Sequence, residues 1–207
     1  YVRGNSSDYQ YWEESGAKGW GYSDVLPYFK RMECSHGGEE EWRGKEGPLH
    51  ITRGKQENPI NKAFLNSVIE AGYSITKDYN GFKQEGFGAG DMTVWNGRRW
   101  SSASAYLKPA LKNKNLKLFK NSLVDKIIFS NNTAVGVSFY QGKKLRKILV
   151  NKEIICCAGS INTPQIMQRS GIGPAKLLKT YGIEIIKDSP GVGENLQDHL
   201  EVYLQVN

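Results

Sequence analysis

The chain has 207 residues, enough for one large domain or two small ones with a sizeable buried core. Its 39% hydrophobic and 24% charged content exclude a disordered or fibrous chain, and no apolar run approaches the ~18 to 20 residues of a membrane span. The net charge of +7, from 28 basic and 21 acidic residues, is carried by dispersed lysines. Clusters such as Lys143, Lys144, Arg146 and Lys147, or Lys112, Lys114, Lys117 and Lys120, fall at turns and strand edges, where lysine acts as a solubilising residue, so no nucleic-acid partner is expected. Cys34, Cys156 and Cys157 are odd in number, and two lie side by side in an apolar run, which reads as buried thiols in a reducing compartment. None has a Cys-x-x-Cys or histidine partner at metal spacing, so no metal is expected. The chain begins at Tyr1 without an initiator Met or a signal peptide, and it reads as a piece of something longer.

In chain order, residues 1 to 22 show no period and read as an irregular, aromatic-packed segment. Ser23 looks like the N-cap of a helix running to Cys34, with Pro27 in the tolerated first turn, followed by a loop to Gly47. A second helix is marked by Asn58 as N-cap, Pro59 at its first position, Ile60, Ala63, Phe64 and Val68 at helical spacing, and Gly72 as its stop. Residues 74 to 105 read as glycine-rich loops with short strands; their aromatics Phe87, Trp95 and Trp100 are packing candidates as much as ligand walls. From Asn115 the language is that of strands: 116–119, 124–129, 134–140, 147–150 and a buried central strand over 153–158, with turns at Asn131-Asn132 and Gln141-Gly142-Lys143. Gly159 leads into a helix over 163–169, another spans 174–181, a strand covers 183–186, and a loop runs from Ser189 to His199. Strands alternating with helices in this last third indicate an α/β layer attached to a front half of different style.

By residue type no catalytic constellation is evident. Gly159-Ser160-Ile161 fails the Gly-x-Ser-x-Gly elbow, and neither Gly191-x-Gly193 nor any other stretch completes a Gly-x-Gly-x-x-Gly between strand and helix. Asp198-His199 reads as a structural brace more readily than as a base. The strand-turn-helix unit at Ala158-Gly159-Ser160 does have chemical potential. Glycine at a strand end allows close backbone approach, and the following helix N-terminus offers free N–H groups to an anion.

The stretch Gly159-Ser160-Ile161-Asn162-Thr163-Pro164-Gln165-Ile166-Met167-Gln168-Arg169-Ser170-Gly171-Ile172-Gly173 resembles, at every defined position, the second signature of the glucose-methanol-choline oxidoreductases. Tyr1-Val2-Arg3-Gly4-Asn5 with Asp8-Tyr9 and Trp12 resembles the tail of that family's first signature. Asp78-Tyr79-Asn80-Gly81, Gln84-Glu85-Gly86-Phe87-Gly88, Gly97-Arg98-Arg99, Ala105-Tyr106-Leu107 and 190–199 extend the likeness over essentially the whole chain. Gln168-Arg169-Ser170-Gly171 and 198–205 are most similar to the corresponding stretches of bacterial choline dehydrogenases.

The resemblance implies a mixed α/β fold: an FAD-binding, Rossmann-like portion interleaved with substrate-domain segments, the N-terminal βαβ unit not being among these residues. It assigns 1–40 to an FAD-domain extension, 41–105 to a substrate-domain segment, 106–196 to the FAD-binding portion and 197–207 to the start of another substrate-domain segment. FAD is the implied cofactor, lying against Val124 at the adenine, Ala158, Gly159 and Pro164 at the ribose and pyrophosphate, and just beyond Tyr1 and Val2 at the flavin ring. No catalytic residue is assigned, because the family's catalytic histidine lies C-terminal to the region matched by Asn207, and the fragment alone is expected to be inactive. The implied reaction is FAD-dependent oxidation of a primary alcohol by hydride transfer, choline to betaine aldehyde first, with a quinone or oxygen as electron acceptor. The implied setting is the cytoplasm, with peripheral attachment at the inner membrane left open. Another alcohol oxidase or dehydrogenase of the family, or a non-catalytic basic binding module, remain as alternatives.

Overall fold

A computed structural model describes residues 1–205; Val206 and Asn207, the end of the expected 197–207 segment, lie outside the described residues. Helix α1, Ser6–Glu14, occupies the stretch expected to be irregular. A reciprocal cap starts it: the Asn5 side chain accepts from the Ser7 N–H at 3.0 Å, and the Asp8 carboxylate accepts from the Asn5 N–H at 2.8 Å. Tyr9 is its one buried residue, so no apolar period betrays the helix in sequence.

Helix α2 spans Tyr22–Met32 and starts one residue before the expected Ser23 cap. Gly21 takes the extended N-cap backbone without supplying a capping side chain, which removes the usual signal. Pro27 is therefore inside the helix and beyond its first turn, and Cys34 belongs to strand β1, Glu33–Ser35. Helix α3, Pro59–Glu70, forms as its caps dictate: Asn58 accepts from the Ile60 N–H at 2.9 Å, and Gly72 follows the end at φ +82°.

Strand β2, Leu49–Arg53, lies parallel to β1, pairing Cys34 with His50, and antiparallel to β3, Asp91–Met92, pairing Arg53 with Asp91. Strands β4, Val94–Trp95, and β5, Arg98–Arg99, form a hairpin through Asn96 and Gly97, both at positive φ. The short strands expected between 74 and 105 are these. A π-helical turn, Ala103–Leu107, then leads into α4, Lys108–Ala110.

The backbone clusters into two compact units, Tyr1–Lys117 and a second from Leu118 onward. The expected strand at 116–119 spans their boundary in sequence and does not form. Strands β6, Ser122–Ser130, β7, Thr133–Gln141, and β8, Lys144–Leu149, make an antiparallel meander, turned by Asn131-Asn132 at φ 48° and 62° and by Gly142 at φ 61°. Every residue of β8 is exposed, and Lys144, Arg146 and Lys147 mark it as a charged sheet edge.

The expected buried strand over 153–158 is not one. It pairs with no strand among the described residues; Cys156 and Cys157 are exposed, and Ile155 is 75% exposed. Apolar composition alone does not make a strand, which needs a ladder partner for its backbone. Helix α5 spans Gly159–Arg169, starting four residues before the expected Thr163, and β9, Ile172–Gly173, α6, Ala175–Thr180, and β10, Lys187–Asp188, follow. Strand β10 pairs in parallel with β9, whereas the expected strand 183–186 does not form. The Ile183 N–H is spent on the Leu178 carbonyl at the end of α6, so the ladder begins only beyond it.

Buried apolar side chains are few among the described residues. Tyr9, Ile51, Val68 and Ala105 serve the first unit, and Ile127, Phe139 and Leu178 the second. No helix among the described residues is long and apolar enough to cross a membrane.

Candidate cofactor site and a buried ion network

In the second unit, α5 is the element that carries the matched signature. Its N-cap Ala158 provides no side-chain cap, and 158–162 are exposed, so the first helical N–H groups point free at the helix entrance. The Ala158 N–H donates to Thr163 Oγ1 at 3.2 Å, folding the incoming chain onto the helix start. Gly159 sits at φ +86° with nothing within 4 Å of where a Cβ would stand; this turn demands glycine for its conformation and leaves open space beside it.

The 190–195 loop lies over the same helix. Gln168 Nε2 donates to the Val192 carbonyl at 2.9 Å, and a Cβ on Gly193 would stand 2.6 Å from that nitrogen and 3.9 Å from Pro164 Cβ. Two stretches that the sequence treats as separate words thus converge at Pro164. Uncapped N–H donors, a glycine turn and open space fit the anionic phosphates of a dinucleotide.

Val124 stands half-buried on β6, paired with Phe139. The next residue, Asp125, is thrown out of the ladder by a bulge, and its carboxylate accepts from Ser138 Oγ at 3.0 Å and from Arg169 Nη2 at 2.5 Å. Ser170 Oγ accepts from the Ile127 N–H at 2.8 Å. These bonds tie β6 to the C-terminal end of α5, while Ala158 and Gly159 form its other end.

Tyr1 and Val2 belong to the first unit. Val2 is 65% exposed. Tyr1 is half-buried, and burial pushes its phenol up to about 12. Its carbonyl accepts from Asn80 Nδ2 at 3.3 Å, and Asn80 Oδ1 accepts from the Arg3 N–H at 2.7 Å. Of the aromatics Phe87, Trp95 and Trp100, none forms an open cage: Phe87 packs edge-on to Phe64 and Tyr73, Trp95 lies flat on His36 and His50, and Trp100 Nε1 donates to the Pro48 carbonyl at 2.8 Å.

Sequence reasoning missed the polar interior of this unit. Glu33 Oε1 accepts from Arg3 Nη2 at 2.7 Å and from Arg43 Nε at 2.9 Å. Arg43 Nη1 reaches Asp78 at 2.7 Å and Asp91 at 2.8 Å, and Arg53 reaches the same two carboxylates at 3.1 Å each. Three guanidinium groups thus face three carboxylates, and the Arg43 and Glu33 side chains are wholly buried. The residues come from the segment before α1, β1, the 36–48 loop, β2, the 78–80 turn and β3, so no local spacing announces them.

Desolvation acts to raise the Asp91 carboxyl, but hydrogen bonds from Arg43 and Arg53 prevail and hold it below the usual carboxylate value. A group depressed in the folded state adds stability above its unfolded value, near 4, that is lost as pH falls through the folded value. Urea midpoints followed from pH 7 to 3 are expected to fall, and Asp91→Asn is expected to flatten the acid limb by up to about 1.4 kcal/mol per pH unit, one proton's worth. An unchanged slope in Asp91→Asn would exclude Asp91 from the acid response.

Cys34 also departs from expectation: the parallel pairing of β1 with β2 brings two histidines, His36 and His50, to it. His50 is held below the ordinary imidazole range, first by desolvation and then by the neighbouring His36. His199 lies in the exposed terminal stretch.

Comparison with known proteins places these features in context. The family profile described as GMC oxidoreductase matches residues 1–201. An oxygen-dependent choline dehydrogenase of Brucella anthropi is 58% identical over 99% of this chain, and one of Rhizobium meliloti is 54% identical over the same share. The chain spans 37% of the length of each. Among solved structures, pyridoxine 4-oxidase from Mesorbium loti superposes with a TM-score of 0.86 at 30% identity, covering 96% of this chain and 40% of that one. An FAD-dependent oxidoreductase from Chaetomium thermophilum does so with a TM-score of 0.87 at 32% identity, covering 96% and 37%. The mixed α/β fold is therefore that of a known lineage, and the chain belongs to the GMC oxidoreductase family.

Proposed function

We propose that the whole protein is an FAD-dependent oxidoreductase of alcohols, with choline as its substrate. The observation that carries this reading is the entrance to α5, where the family signature forms an uncapped, glycine-turned helix N-terminus with the 190–195 loop folded over it. FAD, when bound, supplies the hydride acceptor for the carbinol carbon. Within this chain, Ala158 and Gly159 with the turn to Pro164 would hold its ribose and pyrophosphate through backbone N–H groups, and Val124 would meet the adenine. Tyr1 and Val2 would continue from the segment over the flavin ring, and the Arg3–Asn80 bonds would hold that segment in place. On this reading, 1–40 and 106–196 serve the cofactor, and 41–105 and the residues after 197 serve the substrate.

Choline is favoured by the level of identity to choline dehydrogenases. A chain of net charge +7 offers a cation no long-range attraction, so choline selection would rest on aromatic or carboxylate walls close to the quaternary ammonium. Oxygen is the favoured acceptor and a membrane quinone the second, the protein being cytoplasmic or peripheral to the inner membrane.

The test is turnover by the whole protein purified with its flavin, comparing choline with its neutral tert-butyl isostere under oxygen consumption. A kcat/KM preference for choline of about 10-fold or more is expected, the worth of a desolvated cation–π contact. Preference for the neutral alcohol would reassign the substrate within the family. A protein that takes up no flavin and instead binds anionic polymers with steep salt dependence would overturn the oxidoreductase reading.

A further inference from the structure

Cys34, His36 and His50 each offer one donor atom to a common point, and these atoms all lie within 4.8 Å of one another. His36 Nε2 stands 3.0 Å from His50 Nδ1 and 3.9 Å from Cys34 Sγ. The three come together because β1 and β2 are parallel and in register, Cys34 opposite His50, with the His36 N–H continuing the ladder to the Ile51 carbonyl at 3.0 Å. Side chains at 34 and 50 then share one face, and His36, two residues on, returns to it.

The rings are held before any ion arrives. Trp95 lies flat against both imidazoles, with centroids at 4.2 Å and 4.3 Å and planes within 10°, and Trp100 meets His50 edge-on at 5.3 Å. Trp100 is itself pinned to the Pro48 carbonyl. The Cys34 thiol donates to the Lys45 carbonyl at 2.9 Å, which fixes its rotamer on the same side. Little side-chain freedom remains to be lost on binding.

The geometry points to a zinc site at Cys34, His36 and His50, with a fourth position open to solvent beside the exposed His36. A tetrahedral zinc ion, with Zn–N near 2.0 Å and Zn–S near 2.3 Å, needs its donors about 3.3 to 3.6 Å apart, so the atoms need to shift by only about 1 Å. One thiolate and two imidazoles select a borderline-soft transition ion over magnesium or calcium, which take oxygen donors. On binding, the ion displaces the thiol proton to solvent, and the hydrogen between the two rings moves to the far nitrogen of its own ring, so that both imidazoles stay neutral and present a lone pair. This site lies in the first unit, shares no residue with the FAD contacts named at Tyr1, Val2, Val124, Ala158, Gly159 and Pro164, and does not rest on the choline reading.

The experiment is a zinc titration of the whole protein, first stripped with a chelator, in competition with a chromogenic zinc indicator. One zinc per chain at sub-micromolar Kd is expected, weakened about 100-fold or more in Cys34→Ser, with Cys34→Ser retaining wild-type secondary structure by circular dichroism. Replacing zinc by cobalt should give a near-ultraviolet thiolate-to-cobalt charge-transfer band that Cys34→Ser lacks. Should Cys34→Ser lose its secondary structure, His36→Gln, on an exposed side chain, takes its place with the same expected loss of affinity. Zinc binding of equal affinity in the wild type and the folded variant, or no binding at all by the wild type, would overturn the site.

Discussion

Arg43→Ala is expected to cost the first unit about 3–5 kcal/mol, the typical penalty for removing one partner of a buried charge network. Arg43 alone links all three carboxylates: Nε reaches Glu33, and Nη1 reaches both Asp78 and Asp91. Without it, carboxylates buried to within a few per cent of completely lose their central counter-charge. For a chain of this size that loss lowers Tm by roughly 6 to 20 °C. Arg43→Lys should recover only part of it, because an ammonium keeps the charge but not the planar fork that serves two directions at once. Thermal and urea unfolding of the three proteins side by side provide the check. A loss below about 1 kcal/mol in Arg43→Ala would mean that the network is no stronger than a set of surface pairs.

The second large effect is expected at Gly171, which follows the C-terminus of α5 and turns the chain directly into β9. Its φ is +93°, and a Cβ there would stand 2.4 Å from the Glu184 carbonyl oxygen and 2.8 Å from Ile186 Cγ1. The Gly171 carbonyl also accepts from the Ile186 and Lys187 N–H groups at 2.9 Å and 3.1 Å, so the segment that carries the obstructing atoms cannot easily retreat. Gly171→Ala is expected to destabilise by about 3 kcal/mol or more, combining backbone strain of ~1–2 kcal/mol with the steric clash. Gly182 is the internal control. It holds the same position after α6 at φ +64°, yet nothing lies within 4 Å of its absent Cβ, so Gly182→Ala should show the strain alone. Equal losses in the two variants, read from urea midpoints, would refute the clash at Gly171.

What sequence revealed and what it hid divide along the range of the interactions involved. Helix α3 was legible because Asn58, Pro59 and Gly72 act within a turn of the helix ends they define. The β6–β7–β8 meander was legible because Asn131-Asn132 and Gly142 force tight turns between runs with strand patterning. The signature at 159–173 was legible as a family word, although its helix begins at Gly159, where the glycine turn and not a polar cap makes the start. Helix α1 escaped because one buried Tyr9 makes no period, and 153–158 misled because a run of apolar residues carries no information about its ladder partner. The ion network and the Cys34–His36–His50 cluster were beyond reach for a further reason: each is assembled by pairing between segments up to tens of residues apart. Ala158, Gly159 and Pro164, the expected ribose and pyrophosphate contacts, lie at the N-cap and in the first turns of α5, and Val124, the expected adenine contact, has a half-buried place on β6 that core packing alone explains.

The buried network has an electrostatic corollary for the whole molecule. Its three guanidinium groups and three carboxylates cancel, so the net charge of +7 resides entirely outside it, on side chains that water and ions can reach. Mobile ions screen exposed charges over a Debye length of about 10 Å at 0.1 M salt but scarcely enter a dry interior. Added salt will therefore release this protein from a cation-exchange surface while leaving the contacts around Arg43 as they were.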